Sequence, residues 1–121
     1  MTIKVGDKVP SVNFKQLTAD GLSDISCDDY FKGRKVALFS VPGAFTPTCS
    51  AQHVPSYIGN ADALKAKGVS AIACVSVNDA FVMQAWGENL GVGDAVEMLA
   101  DGNGEFARAT GLTLDGSGFG L

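Results

Sequence analysis

The sequence predicts an α/β domain with a central, mainly parallel β-sheet. Three apolar runs have the length of strands: Val36–Val41, Val69–Val77 and Val96–Ala100. Helix-forming segments separate these runs, and the alternation of strand and helix implies parallel pairing with right-handed crossovers. Since 121 residues support one domain, we expect residues 1–121 to form a single unit.

The first third of the chain predicts short elements. Residues 1–15 indicate a loop followed by a short strand with a polar face, and the pair Asp20-Gly21 is typical of a hairpin turn. The segment Ser26–Phe31 predicts one helical turn that Ser26 caps and Gly33 ends. Cys27 lies in this turn, where we expect a passive thiol that is exposed or half-buried.

The strand Val36–Val41 leads into a turn and then a helix. Thr46 is a good N-cap residue and Pro47 suits the first helical position, which makes Cys49 the third helical residue. Unpaired N–H groups and the positive end of the helix dipole favour a thiolate over a thiol at that place. Position alone leaves two interpretations open, a nucleophile or a small buried residue in a strand–helix turn.

The remaining elements follow from breakers and caps. Pro55 removes a helical hydrogen bond, so we expect a kink or break near Gln52–Pro55. The run Val69–Val77 is almost continuously apolar, which predicts a strand buried on both faces. The sequence also predicts a helix over Ala61–Lys67 that Gly68 ends, and a third helix that Asp79 caps. A turn over 101–104, a short helix over Glu105–Thr110 and a glycine-rich loop are predicted to follow.

Composition and charge exclude several classes of function. The net charge is -4 and the only arginines are Arg34 and Arg108, which argues against nucleic acid because phosphate neutralisation needs clustered cations. No apolar run approaches the ~20 residues of a membrane span, and the start of the chain does not have the pattern of a secretory signal. Three cysteines without a Cys-x-x-Cys pair predict a reducing, cytoplasmic setting.

The turn before the helix carries a longer pattern. Pro42, Thr46 and Cys49 are spaced as P-x-x-x-T-x-x-C, which resembles the peroxiredoxin active-site signature. The contiguous run VPGAFTPTC is similar to the type II, atypical two-cysteine form, and the likeness continues through Leu64–Val69, Cys74–Val82 and Trp86-Gly87. The resemblance implies a thioredoxin-like three-layer fold and a thiol peroxidase that reduces hydrogen peroxide or alkyl hydroperoxides.

The resemblance also implies roles for individual residues. Cys49 would be the peroxidatic nucleophile and pass through a sulfenic acid, Thr46 would donate its hydroxyl proton to the thiolate or the peroxide, and Pro42 would shield the pocket from water. No metal or organic cofactor is needed. The implied reductant is thioredoxin, or glutaredoxin with glutathione. Type II members often form homodimers, and Phe45 and Phe81 are the side chains that we expect near such an interface.

Two further residues keep two interpretations each. Cys74 lies 25 positions after Cys49, a separation that resembles the resolving cysteine of plant-like type II members, but its strand also suits an inert core thiol. His53 lies one turn after Cys49 on the same helix face, where it is either a base or, as we favour, a packing or docking side chain.

The end of the chain departs from the family pattern. The family continues into an antiparallel strand pair and a terminal helix, so we expect an uncovered sheet edge here, either because the chain is shortened or because another chain completes the fold. The family's active-site arginine lies in that portion, and neither Arg34 nor Arg108 falls at the matching place. The alternative function is therefore a non-catalytic redox-sensing or binding domain. A thiol–disulfide oxidoreductase is disfavoured, because Cys-x-x-Cys is missing.

Overall fold

A computed structural model describes all 121 residues and shows a five-stranded sheet with the strand order β2-β1-β5-β4-β3. Strands β3, β4 and β5 are parallel, whereas β1 is antiparallel to both β2 and β5. The predicted parallel pairing of the three apolar runs is thereby confirmed. The strands are β1 (Asn13–Thr18), β2 (Gly21–Ser26), β3 (Val36–Ser40), β4 (Ala71–Ser76) and β5 (Glu97–Ala100).

Helices cover both faces of the sheet, as a three-layer fold requires. They are α1 (Cys27–Phe31), α2 (Val54–Gly59), α3 (Ala61–Ala66), α4 (Ala80–Leu90) and α5 (Glu105–Thr110). Side chains of α2, α3 and α4 pack in a core on one face, and those of α1 and α5 pack in a second core on the other face. None of these helices combines the length and apolar character that crossing a membrane requires.

Strand β4 lies in the middle of the parallel part of the sheet, and all six of its residues are buried. Its alternating side chains divide between the two cores. Ile72 and Cys74 join the core under α2, α3 and α4, whereas Ala73 and Val75 join the core under α1 and α5. The prediction of a strand buried on both faces is confirmed.

Side-chain caps fix the helix starts close to where the sequence predicts them. The Ser26 hydroxyl accepts a hydrogen bond from the Asp29 N–H at 3.4 Å, and the Asp79 carboxylate accepts one from the Val82 N–H at 2.8 Å. The buried carboxylate of Asp101 accepts from the N–H groups of Phe106 and Ala107, both at 2.9 Å, and so holds the start of α5. This last cap was not predicted.

The expected irregularity before Pro55 is a π-helical turn. The helix begins at Pro47, and residues Cys49–His53 form the π turn in which the Val54 N–H donates to the Cys49 carbonyl. Such a turn shifts the hydrogen-bonding register by one residue just before a proline that has no N–H to donate. The structure therefore places an irregularity where the sequence predicts a kink or break, as a π turn in a helix that continues to Gly59.

The first strand differs from its predicted position. We expected it within residues 1–15, but β1 begins at Asn13 and ends at Thr18. Pro10 explains the shift, because its carbonyl accepts from the Val12 N–H at 3.0 Å and forms a local turn instead of a strand ladder. The hairpin turn at Asp20-Gly21 is confirmed, since β1 and β2 pair on either side of it.

The outer strand β3 and the end of the chain both border the start of the Cys49 helix. The side chains of Val36, Ala37 and Leu38 are half-buried, in contrast to the fully buried β4. After α5 the chain runs without regular structure to a 3₁₀ turn over Ser117–Phe119, and Leu121 then lies against Gly43. The predicted loop is thus mostly irregular but folds back on the turn after β3.

Candidate active site

Cys49 lies where β3 ends and the next helix begins, at the C-terminal edge of the parallel strands. It is the third helical residue, as predicted, and its side chain is 7% exposed. The first intrahelical bond runs from the Ser50 N–H to the Thr46 carbonyl at 3.0 Å. The N–H groups before Ser50 therefore have no intrahelical partner, and the Cys49 sulfur lies at the positive end of the helix.

Thr46 lies directly before the helix, but its side chain bonds backward into the turn instead of to the helix start. Its hydroxyl donates to the Gly43 carbonyl at 2.8 Å, and its N–H points to the same carbonyl at 3.4 Å. The N-cap position predicted for Thr46 is confirmed, since its carbonyl accepts the first intrahelical bond, but its side chain does not cap the helix because the hydroxyl is turned back toward Gly43. The hydroxyl oxygen keeps free lone pairs in this arrangement. Pro42 is exposed at the start of the turn, and its shielding role stays a prediction.

Phe45 stores backbone strain inside this turn. It has a φ of 64°, the only positive φ among the non-glycine residues. A bulky residue in the left-handed region is an outlier, and such strain persists only where surrounding contacts impose it. The ring is 51% exposed, and its centroid lies 6.3 Å from that of Trp86.

Two hydrogen bonds to side chains of other elements attach the Cys49 segment, which comprises residues 43–50. Asn78, two residues after β4, accepts from the Ala44 N–H at 2.9 Å. Trp86 of α4 donates its indole N–H to the Ser50 hydroxyl oxygen at 3.0 Å. The sequence interpretation gave neither Asn78 nor Trp86 a role at the site. The signal available was a polar residue directly after a predicted parallel strand, where the carboxyl ends of strands meet the site.

Cys74 lies in the same core as Cys49 but in the middle of the sheet. Burial, and next the electrostatic influence of the nearby Cys49, raise the pKa of Cys74 from 9.0 to about 12. All three cysteines are free thiols in this structure. Cys74 is thus a neutral, enclosed thiol, which fits both the inert interpretation and a resolving role that requires movement.

Cys27 lies on the other side of the sheet. It is 1% exposed, so the expectation of an exposed or half-buried thiol is wrong. The helical turn α1 packs it against Phe14 and Leu99 in the second core. Burial raises the pKa of Cys27, an effect that the nearby carboxylates of Asp28 and Asp101 strengthen and a backbone hydrogen bond to Val12 opposes.

His53 packs among aromatic rings. Its ring centroid lies 4.9 Å from that of Phe39 and 5.7 Å from that of Tyr57, while Phe39 and Tyr57 stack on one another at 3.9 Å. The structure records no carboxylate or amide bonded to this imidazole, which supports packing over a role as a base.

Both arginines lie away from Cys49. Arg34 precedes β3 at the opposite edge of the sheet, where it lies 4.7 Å above the Tyr30 ring and 3.6 Å from a Glu97 carboxylate oxygen. The Tyr30 hydroxyl donates a hydrogen bond to the same carboxylate, and burial followed by this contact raises the pKa of Tyr30. A cavity of about 670 Å³ lies beside these groups. Arg108 belongs to α5 on the second core's face.

Comparison with known proteins gives consistent matches. A family model described as Redoxin matches residues 4–119. The chain is 56% identical to peroxiredoxin-2E-2, chloroplastic, of Oryza sativa subsp. japonica, over 94% of this chain and 52% of that protein. It is 50% identical to peroxiredoxin-2D of Arabidopsis thaliana, over 93% of this chain and 70% of that protein. The chain spans about half the length of the rice relative.

A solved structure shares both the fold and the sequence. The crystal structure of reduced Prx3 from Vibrio vulnificus in complex with H2O2 matches with a TM-score of 0.95 and 52% identity, over 98% of this chain and 75% of that chain. The three-layer arrangement around a mainly parallel sheet is therefore that of a peroxiredoxin.

Proposed function

Because this chain belongs to the redoxin family and, within it, to the peroxiredoxins, we propose that it is a thiol-dependent peroxidase whose nucleophile is Cys49. The observation that carries the proposal is the position of Cys49 in the first turn of a helix that starts at Pro47, directly after a strained turn. Free N–H groups there favour negative charge on the sulfur. The type II subgroup fits the VPGAFTPTC run and the relatives described above.

The proposed reaction is an in-line displacement on a hydroperoxide. The Cys49 thiolate attacks one peroxide oxygen, an S–O bond forms and the O–O bond breaks. The leaving hydroxide or alkoxide takes a proton, and Cys49 becomes a sulfenic acid. The Thr46 hydroxyl stabilises the thiolate or the peroxide oxygen after it turns away from the Gly43 carbonyl, and the unpaired N–H groups of the helix start donate to the developing charge.

The substrate class is hydrogen peroxide or an alkyl hydroperoxide. Support comes from the Vibrio relative, whose structure contains H2O2. A thiol reductant completes the cycle, because the sulfenic acid condenses with a thiol to a disulfide and releases water. We propose thioredoxin, or glutaredoxin with glutathione, as that reductant, with Cys74 as the thiol that resolves the sulfenic acid after the first helical turn opens.

We also propose a homodimer that packs near the active-site turn. Three exposed apolar side chains occur at this edge of the sheet: Phe45 (51%), Val77 (52%) and Phe81 (59%). Exposed apolar side chains grouped at one edge of a domain are typical of a contact site. Light scattering at micromolar concentration tests the proposal, with Phe45→Ser and Phe81→Ser expected to shift the mass toward that of one chain. A wild-type protein that is monomeric at all concentrations would remove it.

The test of the enzymatic proposal combines kinetics and mapping. One equivalent of hydrogen peroxide is added to the reduced protein, its consumption is followed by stopped flow, and dimedone traps the sulfenic acid for peptide mass spectrometry. We expect a dimedone adduct on Cys49 and, without dimedone, a Cys49–Cys74 disulfide. Consumption no faster than that by free cysteine would overturn the peroxidase proposal. An unlinked, persistent sulfenic acid would overturn only the role of Cys74. No contact in the structure favours the alternative of a non-catalytic redox-sensing or binding domain.

A further inference from the structure

The side chain of Asn78 is the direct link between the end of β4 and the turn before Cys49. Its Oδ1 accepts two hydrogen bonds, one from the Ala44 N–H at 2.9 Å and one from the Ser76 hydroxyl at 2.6 Å. The donor in the first bond is a backbone N–H, so the atom facing it is the carbonyl oxygen and the orientation of the carboxamide is fixed. Asn78 thus ties a loop to a buried strand.

Asn78 follows the buried and hydrogen-bonded end of β4. Ser76, the last residue of β4, is 3% exposed, and its carbonyl accepts from the Asp101 N–H at 2.9 Å. The backbone of Asn78 also lies against Gly102, where an added Cβ would meet the Asn78 carbonyl oxygen at 3.4 Å. The Asn78 carboxamide is therefore held by Ser76 of β4, and the Asn78 backbone is held against the turn after β5.

Asn78 accepts its hydrogen bond from Ala44, the residue directly before the strained Phe45. Ala44 precedes Phe45, whose φ of 64° reverses the chain so that Thr46 and Pro47 start the helix. Strain of this kind relaxes when its constraints are removed. The bond from the Ala44 N–H is the only side-chain hydrogen bond to the backbone of Gly43–Phe45 that comes from outside the turn.

We propose that Asn78 is a positioning residue for peroxide reduction: its carboxamide oxygen fixes the Ala44 N–H and so keeps the Gly43–Thr46 turn in the shape that presents Thr46 and Cys49 to the hydroperoxide. This inference rests on the proposed peroxidase function. Misplacing a reacting group by about 1 Å costs up to ~10²-fold in rate, and here the group moved is the Thr46 hydroxyl relative to the Cys49 sulfur.

Two substitutions separate positioning from folding. Asn78→Leu has a similar size and removes the acceptor, while the Ser76 hydroxyl retains an alternative acceptor, the Val41 carbonyl at 3.5 Å. Asn78→Asp keeps the acceptor for both donors. Asn89→Leu, an exposed asparagine near the far end of α4, is the matched control.

Amide hydrogen exchange measured by NMR reports directly on the hydrogen bond of the Ala44 N–H and does not depend on enzymatic activity. We expect Asn78→Leu to raise the exchange rate of the Ala44 N–H by about tenfold or more, as loss of one hydrogen bond worth ~1.4 kcal/mol does. Buried amides of β4 should keep their rates. Asn78→Asp should return the Ala44 rate to within about threefold of wild type, and Asn89→Leu should not change it.

Stopped flow then supplies the functional readout. We expect the second-order rate constant with hydrogen peroxide to fall about 10- to 100-fold in Asn78→Leu, with Asn78→Asp intermediate, and the reduction of preformed sulfenic acid by an added thiol to stay unchanged. An active wild type with an unchanged peroxide rate in Asn78→Leu, or unchanged Ala44 exchange, overturns the positioning role. An inactive wild type overturns the proposed function instead, and the exchange data still decide whether Asn78 holds the turn.

Discussion

The two cysteines of the larger core occupy regions of opposite character. Cys49 lies in a segment with a strained residue, a π-helical turn and two side-chain attachments, those to Asn78 and Trp86. Cys74 lies in β4, which is paired on both sides by parallel strands and is buried along its whole length. The same functional group is therefore placed once in irregular backbone and once in the most regular part of the fold.

Under the proposed function, this difference lets one core hold a reactive thiol at Cys49 and an unreactive thiol at Cys74. Segments with few buried contacts and irregular hydrogen bonds open at a lower free energy than central strands. The first turn of the Cys49 helix meets that description, and β4 does not. If the two sulfurs bond during the reaction, we infer that Cys49 moves and Cys74 stays in place.

The largest expected effect comes from replacing the sulfur of each cysteine in turn. Cys49→Ser should lower the rate constant with hydrogen peroxide by more than about 10³-fold, or roughly 4 kcal/mol, because a hydroxyl at neutral pH is not an anionic nucleophile. Cys74→Ser should leave the first oxidation step within about threefold of wild type, since its thiol enters only afterwards. Stopped-flow peroxide consumption measures both. Cys27→Ser, on the other side of the sheet, is the control, and a similar loss in all three variants would contradict the assignment.

The second prediction concerns alkaline pH. The pKa of Cys74 is raised from 9.0 to about 12, so the folded protein keeps a proton that the unfolded chain has lost between these values. The stability due to the neutral thiol is complete below pH 9 and is lost as pH rises toward 12, by about 1.4 kcal/mol per pH unit.

Urea unfolding between pH 8 and pH 11 tests this expectation. The free energy of unfolding of the wild type should fall steeply above pH 9. Cys74→Ala should reduce the slope of that free energy against pH by the contribution of about one proton. Burial also raises the pKa of Cys27, so a residual slope of the same sign should remain in Cys74→Ala. Equal slopes in wild type and Cys74→Ala would show that Cys74 is not held neutral by the fold.

A smaller effect should follow from detaching the helix start from α4. Ser50→Ala removes the acceptor of the indole N–H of Trp86, which is 0% exposed, and should cost about 1–3 kcal/mol of stability. Ser56→Ala is the matched control, because its exposed hydroxyl bonds only to the His53 carbonyl. Chemical unfolding followed by the fluorescence of the single tryptophan measures both variants, and equal losses would contradict a specific role for the Trp86 bond.

The regular parts of this molecule could be predicted because their signals are local. Three signals act on their immediate neighbours: the apolar run that becomes β4, the Asp79 cap and Pro55. The β1 start was misplaced, because Pro10 makes a turn that alternating side chains do not reveal.

The site was only partly predictable, because only some of its features depend on neighbouring residues in the sequence. Cys49 and the turn before it form a contiguous run, so the run itself indicates a nucleophile. The Asn78 and Trp86 attachments join residues 34 and 36 positions apart, and only the folded sheet brings those partners together. The burial of Cys27 likewise depends on packing between α1 and the sheet, which no local pattern encodes.

The smallest expected effect comes from Pro55 and sharpens the contrast between the two regions. An interior proline costs about 3 kcal/mol in a regular helix, because it lacks an N–H and its ring clashes with the preceding turn. Here the π turn over Cys49–His53 already changes the hydrogen-bonding register before Pro55, so most of that cost is absent. Pro55→Ala should gain one net hydrogen bond of about 1 kcal/mol and lose roughly 0.4–1 kcal/mol through the greater freedom of the unfolded chain.

The net change in the free energy of unfolding of Pro55→Ala should therefore be below about 1 kcal/mol in urea titrations. Pro47→Ala is the control, since Pro47 occupies the first helical position, where an N–H has no intrahelical acceptor. Stabilisation close to 3 kcal/mol by Pro55→Ala alone would mean that the π turn does not relieve the proline. In that case the Cys49 helix is strained along its length, and the irregularity that distinguishes it from β4 is a source of stored energy instead of a stable alternative to α-helical pairing.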